Sequence, residues 1–181
     1  MKSEQILILG IGNTLLSDDG AGVYAVDSLR RSPALPQGVR CLDGGVLAFS
    51  LSEFILQTDA LIVLDAAFLD LEPGAIRLFS GTRMDSYLNS GRRSIHEVGL
   101  GDLLDMARLM NRLPEYRAMV CIQAQSLAVG SSLTPSVAQA MPEAVSVVFR
   151  LIHDWLKQEE PSDDEIRTVG PISAPAGGQS T

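Results

Sequence analysis

The stretch ILILGIGNTLLSDDGAG, residues 6–22, combines an apolar run, a loop with glycines and the first residues of a helical pattern. The apolar run has no polar alternation, which is typical of a strand that is covered on both faces. After the loop, Val23, Val26 and Leu29 recur at helical spacing. The stretch therefore predicts a strand, a loop and a helix over 21–31, the opening unit of an α/β fold.

The loop is similar to the start of a dinucleotide-binding motif but departs from it in two ways. Gly10 and Gly12 fit the pattern GxGxxG, whereas Leu15 stands at the place of the third glycine. Asp18 and Asp19 fall in the first turn of the helix, where their carboxylates would compete with a phosphate for the backbone amides. A nucleotide-binding oxidoreductase that uses NAD or FAD therefore stays only an alternative.

Four further apolar runs continue the alternation of strands and helices. They lie at residues 38–43, 60–66, 75–80 and 118–124. Helix-like stretches lie at residues 48–56 and 96–109. The order strand, helix, strand predicts an α/β fold, with a mostly parallel sheet and helices on both faces, an α/β/α sandwich.

A long C-terminal helix is predicted to begin at Thr134 and Pro135. Thr134 is a good N-cap residue, and proline is favoured at the first helical position. Apolar residues then recur every three or four positions as far as Trp155. Pro142 is expected to kink this helix or divide it, because proline has no amide hydrogen to donate.

The composition indicates one acidic globular domain. The 181 residues include 22 Asp and Glu against 14 Lys and Arg, for a net charge of -8. Since basic residues cluster at most in pairs, we expect no nucleic-acid partner and no membrane partner. The change to an acidic, Pro- and Gly-rich composition predicts a single domain over 1–157 and a flexible tail over 158–181.

Cysteine usage and hydropathy favour a reducing compartment. Cys41 and Cys121 lie in apolar segments without a metal-ligand spacing, so both are predicted to be reduced and buried. The first apolar run is too short for a secretion signal, and no stretch approaches the roughly 18 apolar residues of a membrane span. We expect a cytoplasmic protein.

Acidic residues and one histidine follow the predicted strands. Asp19 follows the first strand, Asp43 follows the second within LDGG, Asp65 ends the third, and His96 stands just before a helix. Loops at the carboxyl ends of strands converge in open α/β sheets. Two carboxylates and one imidazole from three such loops would form a divalent-metal site with open positions. A simpler interpretation stays open, in which each of these residues caps a helix or holds a loop.

Structural interpretations are preferred for the neighbouring polar residues. Ser17 or Asp18 is predicted to cap the first helix, which leaves Asp19 as the ligand of the aspartate pair. His153, in the polar stripe of the last helix, is interpreted as structural.

Five motifs together closely resemble a known family. The chain contains, in order, GIGNTLLSDDGAGV, LDGG, LIVLDAA, SIHEVGL and SLTPSV. This combination resembles the nickel-iron (NiFe) hydrogenase maturation endopeptidases, the hydrogenase-specific C-terminal processing proteases, from about Ile6 to Leu156. The resemblance implies a twisted five-stranded sheet and a metal-binding trio that corresponds to Asp19, Asp65 and His96.

The resemblance also implies an activity and a partner. Family members remove a C-terminal extension from the hydrogenase large-subunit precursor after nickel insertion. Nickel is then expected to be carried by the substrate, and zinc or another divalent ion can occupy such a site in vitro. Asp43 or Asp18 would accept a proton during catalysis. Val46 departs from the family pattern, in which threonine often follows DGG, so no hydroxyl is available there.

A binding protein is the alternative to an endopeptidase. It would be a chaperone that senses nickel on the immature large subunit and docks there without cutting the chain.

Overall fold

The computed structural model describes residues 6–46, 49–90 and 95–157, without the side chains of residues 49 and 95–98. Its centre is a sheet of five strands, β1 (Ile6–Ile11), β2 (Arg40–Gly45), β3 (Ala60–Ala67), β4 (Ile76–Ser80) and β5 (Tyr116–Gln123). The strand order is β2-β1-β3-β5-β4, in which only β4 runs antiparallel to its neighbour. The predicted five-stranded, mostly parallel sheet is confirmed.

Helices cover both faces of this sheet. The described residues form α1 (Ala21–Arg31), α2 (Ser52–Leu56), α3 (Gly81–Leu88), α4 (Ile95–Leu109) and α5 (Pro135–Leu156). Alternate residues of a strand point to opposite faces. Accordingly, Ile6 and Ile8 of β1 pack with α1 and α5, whereas Leu7 and Leu9 pack with α2, α3 and α4. The central strands β1, β3 and β5 are buried on both faces, which explains why they read as mainly hydrophobic runs, whereas the outer strand β2 is partly exposed.

The structure excludes one of the two expected effects of Pro142, division of the helix, and adds a helix that was not predicted. Helix α5 is a single helix that contains Pro142, so this proline does not divide it. The buried Ala140 and Ala144 hold the helix against the core on both sides of the proline. Helix α3 was not expected, because it is only 8 residues long and too short for a clear apolar period.

The predicted burial of the cysteines holds for one of the two residues. Cys121 is buried, but Cys41 is only half-buried because it lies on β2, an outer strand of the sheet. Within residues 6–46, 49–90 and 95–157, no helix is long and apolar enough to cross a membrane. A cytoplasmic location stays a prediction, and the tail predicted at 158–181 lies outside the described residues.

Candidate functional site

The carboxyl ends of the four parallel strands bring the predicted aspartates Asp19, Asp43 and Asp65 to one end of the sheet. Gly10 of β1 pairs with Asp43 of β2 on one side and with Leu64 of β3 on the other. Asp65 follows Leu64 directly, so it lies at the level where β1 ends. We call this end, where β1, β2, β3 and β5 stop, the carboxyl end of the sheet.

Two glycines let the segment after β1 pack tightly on the carboxyl end of the sheet. This segment includes a single 3-10 turn, Ser17–Gly20, which we call the acid turn. Gly12 has a φ of 127°, and a Cβ there would lie 1.7 Å from the carbonyl oxygen of Asp19. A Cβ on Gly22 would lie 2.2 Å from the carbonyl oxygen of Leu64. The acid turn therefore occupies the space above the glycines where a nucleotide-binding loop would receive its phosphates.

Asp19 and Asp65 are both withdrawn from solvent in this region. Asp19 Oδ2 accepts a hydrogen bond of 2.8 Å from the backbone N–H of Asn13. The acid turn packs against β3, the strand that carries Asp65. The Asp65 side chain is fully buried, at 0% exposure, and that of Asp19 is 6% exposed. Burying a carboxylate is costly unless polar partners or a cation stabilise it, so this region is suited to a positive ion.

Asp43 differs from these two residues because it faces solvent. It lies near the end of β2, and its Oδ1 accepts a hydrogen bond of 2.8 Å from the N–H of Gly45. The carbonyl of Gly45 in turn accepts a hydrogen bond of 2.8 Å from the N–H of Gly12. These bonds fix the turn after β2 beside the glycine loop, with the Asp43 carboxylate at the surface.

Asp18 has a structural function that differs from the predicted helix cap. Neither the acid turn nor α1 has a side-chain cap hydrogen bond. Instead, the buried Asp18 carboxylate accepts hydrogen bonds from the backbone N–H groups of Gln125, Ser126 and Thr134. It also accepts one from the hydroxyl of Thr134. The predicted cap by Ser17 or Asp18 is wrong, whereas Thr134 does stand at the N-cap position of α5 with Pro135 after it, but its side chain binds Asp18 and not the helix.

Ser17, the other predicted cap, joins the same contact. Its hydroxyl donates a hydrogen bond of 2.9 Å to the carbonyl of Ala128. Its N–H donates to the carbonyl of Gly130, which belongs to the same segment. The segment after β5 is thus bound along its length to the segment after β1.

Gln123 is a buried polar residue that the sequence analysis missed. Its Oε1 accepts hydrogen bonds of 2.7 and 3.2 Å from the N–H groups of Leu69 and Leu71, and its Nε2 donates to the carbonyl of Ala124. It therefore fixes the segment after β3, close to Asp65. The only sequence signal is a glutamine at the end of an otherwise apolar strand.

The third predicted ligand cannot be placed relative to the two carboxylates. His96 is the second residue of α4, and its side chain lies outside the described residues. Among the side chains that are described, no three Asp, Glu, His or Cys residues could hold a metal ion together. Two carboxylates with one imidazole would suit nickel or zinc by the chemistry of their donor atoms. The fold is thus that of an α/β protein with two buried carboxylates, Asp19 and Asp65, at the carboxyl end of the sheet, and the metal site stays a prediction.

Comparison with known proteins identifies the family. Residues 23–151 match the family model of the hydrogenase maturation proteases, which covers Asp43, Asp65 and His96 but begins after Asp19. The chain is 34% identical over 155 residues to the hydrogenase expression/formation protein HupD of Rhodobacter capsulatus, covering 85% of this chain and 74% of the relative. It is 30% identical over 151 residues to the hydrogenase 2 maturation protease of Escherichia coli, covering 83% of this chain and 92% of that protein.

A solved structure agrees with these relatives. The hydrogenase maturating endopeptidase HybD from E. coli superposes with a TM-score of 0.79 at 30% identity, over 83% of this chain and 93% of that one. The chain belongs to the hydrogenase maturation protease family, a family of peptidases. The resemblance drawn from the five motifs is confirmed, and the nucleotide-binding alternative is not supported.

Proposed function

We propose that this protein is a nickel-dependent endopeptidase that removes the C-terminal extension of a hydrogenase large-subunit precursor after nickel has been inserted. The observation that carries this proposal is the position of Asp19 and Asp65. These two buried carboxylates lie on the acid turn and on β3, which pack against each other at the carboxyl end of the sheet. The chain belongs to this protease family.

In this proposal the nickel ion arrives with the substrate. Asp19, Asp65 and His96 are the residues that would contact it, as two oxygen donors and one nitrogen donor. Three such ligands without a thiolate leave coordination positions open and keep the affinity of the protein itself modest. Modest affinity suits a protein that must distinguish a metallated precursor from an empty one.

Hydrolysis of the peptide bond also needs proton transfer. A divalent ion in the site would polarise the scissile carbonyl or lower the pKa of a water molecule. Asp43 is the preferred proton acceptor because its carboxylate is exposed to solvent. Its Oδ1 accepts one hydrogen bond, from the N–H of Gly45 in the turn after β2. It would take the proton from the attacking water and return it to the leaving nitrogen. Asp18, predicted for the same step, already accepts four hydrogen bonds in a buried position.

The direct test is incubation of the protein with two forms of the precursor. With nickel-loaded precursor, mass spectrometry should show a shortened large subunit and a released C-terminal peptide. With nickel-free precursor, the mass should stay unchanged. Asp65→Asn should lose processing of the nickel-loaded form, since it removes one anionic ligand while keeping the shape of the side chain.

Two outcomes would contradict the proposal. Equal cutting of both precursor forms would show that nickel is not the signal. Stable binding of the nickel-loaded form with no loss of mass would instead identify a nickel-sensing chaperone.

A further inference from the structure

Large exposed hydrophobic side chains are concentrated at the carboxyl end of the sheet. In the described residues there are seven such side chains, and five of them lie in the segments that follow the parallel strands. We call these five the apolar rim, and they are Leu15 after β1, Val46 after β2, Phe68 after β3, and Leu127 and Val129 after β5. The other two are Leu109, the last residue of α4, and Met110, which follows it before the start of β5, at the opposite end. Clustered exposed apolar side chains often mark an interaction site.

Two members of the apolar rim are neighbours in space. Leu16 and Gly130 form a parallel bridge, and the N–H of Gly130 donates a hydrogen bond of 2.9 Å to the carbonyl of Leu15. Leu15 and Val129 each precede a bridged residue by one position, so the two residues lie near each other. They are 66% and 89% exposed, respectively. Together they form an apolar surface that no described residue covers.

This surface is held in place by the contact between the segments after β1 and β5. The Asp18 carboxylate accepts hydrogen bonds from the backbone N–H groups of Gln125 and Ser126. Ser17 donates hydrogen bonds to the carbonyls of Ala128 and Gly130. A surface that is already ordered loses little conformational entropy when a partner binds. The apolar side chains are therefore presented on a preformed surface.

The parts of the segments after β1 and β5 that carry the apolar rim lack charged side chains, and this indicates the chemistry of a partner. Residues 11–17 and 124–134 contain no charged side chain, although the whole chain has a net charge of -8. A strongly charged peptide would lose hydration here without gaining an ion pair. An uncharged, apolar peptide segment is the partner that this surface favours.

We propose that the apolar rim binds an uncharged, apolar segment of the hydrogenase large-subunit precursor, next to the bond that is cut. This inference rests on the proposed function, and continuity with that site supports it. Leu15 precedes Asp19 by four positions and Phe68 follows Asp65 by three. A peptide bound on the rim would therefore lie beside the proposed site.

The test compares the wild type, the double variant Leu15→Ser/Val129→Ser and the control variant Leu109→Ser. Fluorescence anisotropy of labelled, nickel-loaded precursor measures binding, and mass spectrometry of the same samples measures cutting. The double variant should bind roughly tenfold more weakly, with a raised KM and a kcat within about twofold of the wild type. Leu109→Ser should behave as the wild type, because Leu109 is 87% exposed but lies at the opposite end.

Binding and cutting are read separately, so this proposal and the proposed function can fail independently. Equal affinity of the wild type and the double variant overturns the docking surface, even if all three proteins cut the precursor. An equal loss of affinity in Leu109→Ser overturns it as well, because the effect would then not depend on whether the exposed side chain lies in the apolar rim. Sedimentation that shows a wild-type dimer, lost in the double variant, would assign the rim to a second copy of the chain. Normal rim-dependent binding without any cutting supports the rim and contradicts only the endopeptidase.

Discussion

The hydroxyl of Thr134 donates a hydrogen bond of 2.9 Å to Asp18 Oδ2 across 116 positions of sequence. The N–H of Thr134 donates a second bond, of 2.7 Å, to Asp18 Oδ1. Asp18 thereby joins the acid turn to the residue that precedes α5. Because Asp19 follows Asp18 directly, this contact also determines where the predicted ligand lies.

Asp18→Asn should destabilise the fold markedly. The amide group of asparagine would place a donor opposite N–H groups that now donate to a carboxylate, at a cost of about 2–4 kcal/mol in the free energy of unfolding. Urea denaturation measures this change. The control is Asp27→Asn, whose partner Arg31 is 71% exposed, and it should change stability by no more than about 0.5 kcal/mol. A loss for Asp18→Asn as small as that of the control would contradict the structural function of Asp18.

Gly12→Ala should be among the most damaging single-methyl additions in the chain. The residue has a φ of 127° and its Cβ would meet the carbonyl of Asp19 at 1.7 Å, so both strain and a backbone clash are added. The expected loss in the free energy of unfolding is roughly 2–5 kcal/mol. Gly81→Ala is the matched control, with a φ of 51° and no atom within 4 Å of the added Cβ. The free energy of unfolding of Gly81→Ala should fall by only about 1–2 kcal/mol. A loss equal to that of Gly12→Ala would contradict the clash at Gly12.

Gln123→Leu should loosen the segment after β3. The change removes the acceptor for the N–H groups of Leu69 and Leu71, and unsatisfied buried groups cost about 1–3 kcal/mol each. Hydrogen exchange at Leu69 and Leu71 should accelerate, together with a loss of stability in urea. Gln57→Ala, which removes an exposed side-chain contact to Glu53, should leave both measurements nearly unchanged. Unaltered exchange in Gln123→Leu would contradict the assigned contacts.

Cys41 should be a slow nucleophile at neutral pH. Burial raises the pKa of the Cys41 thiol above its ordinary value, and the positive charge of Arg30 offsets this only in part. Since the thiolate is the reactive form, alkylation by iodoacetamide should be slow near pH 7 and should accelerate as the pH rises through the elevated pKa. Arg30→Gln should slow it further by removing the offsetting charge. Peptide mass mapping across pH values measures the rate, and fast labelling at neutral pH would contradict the shift.

The fold was largely predictable, because the central strands β1, β3 and β5 are apolar runs buried on both faces and helices alternate with the strands. The positions of Asp19 after β1, and of Asp43 and Asp65 near the ends of β2 and β3, were predictable for the same reason. The function of Asp18 was not, since its partners Gln125 and Thr134 lie more than 100 positions away. Local sequence favours a helix cap for an aspartate at this position, and only the tertiary contact between two segments overrides that preference.

The predicted ligand His96 allows the most direct test of the central claim, because the chain has 2 histidines and the other is the exposed His153 on α5. The measurement is the intact mass of the large subunit after nickel-loaded precursor is incubated with the wild type, His96→Ala or His153→Ala. The proposed site predicts a shortened subunit with the wild type and with His153→Ala, and the full-length mass with His96→Ala, although circular dichroism should show all three folded alike. A shortened subunit in the presence of His96→Ala would contradict the assignment of a metal-dependent site at the carboxyl end of the sheet.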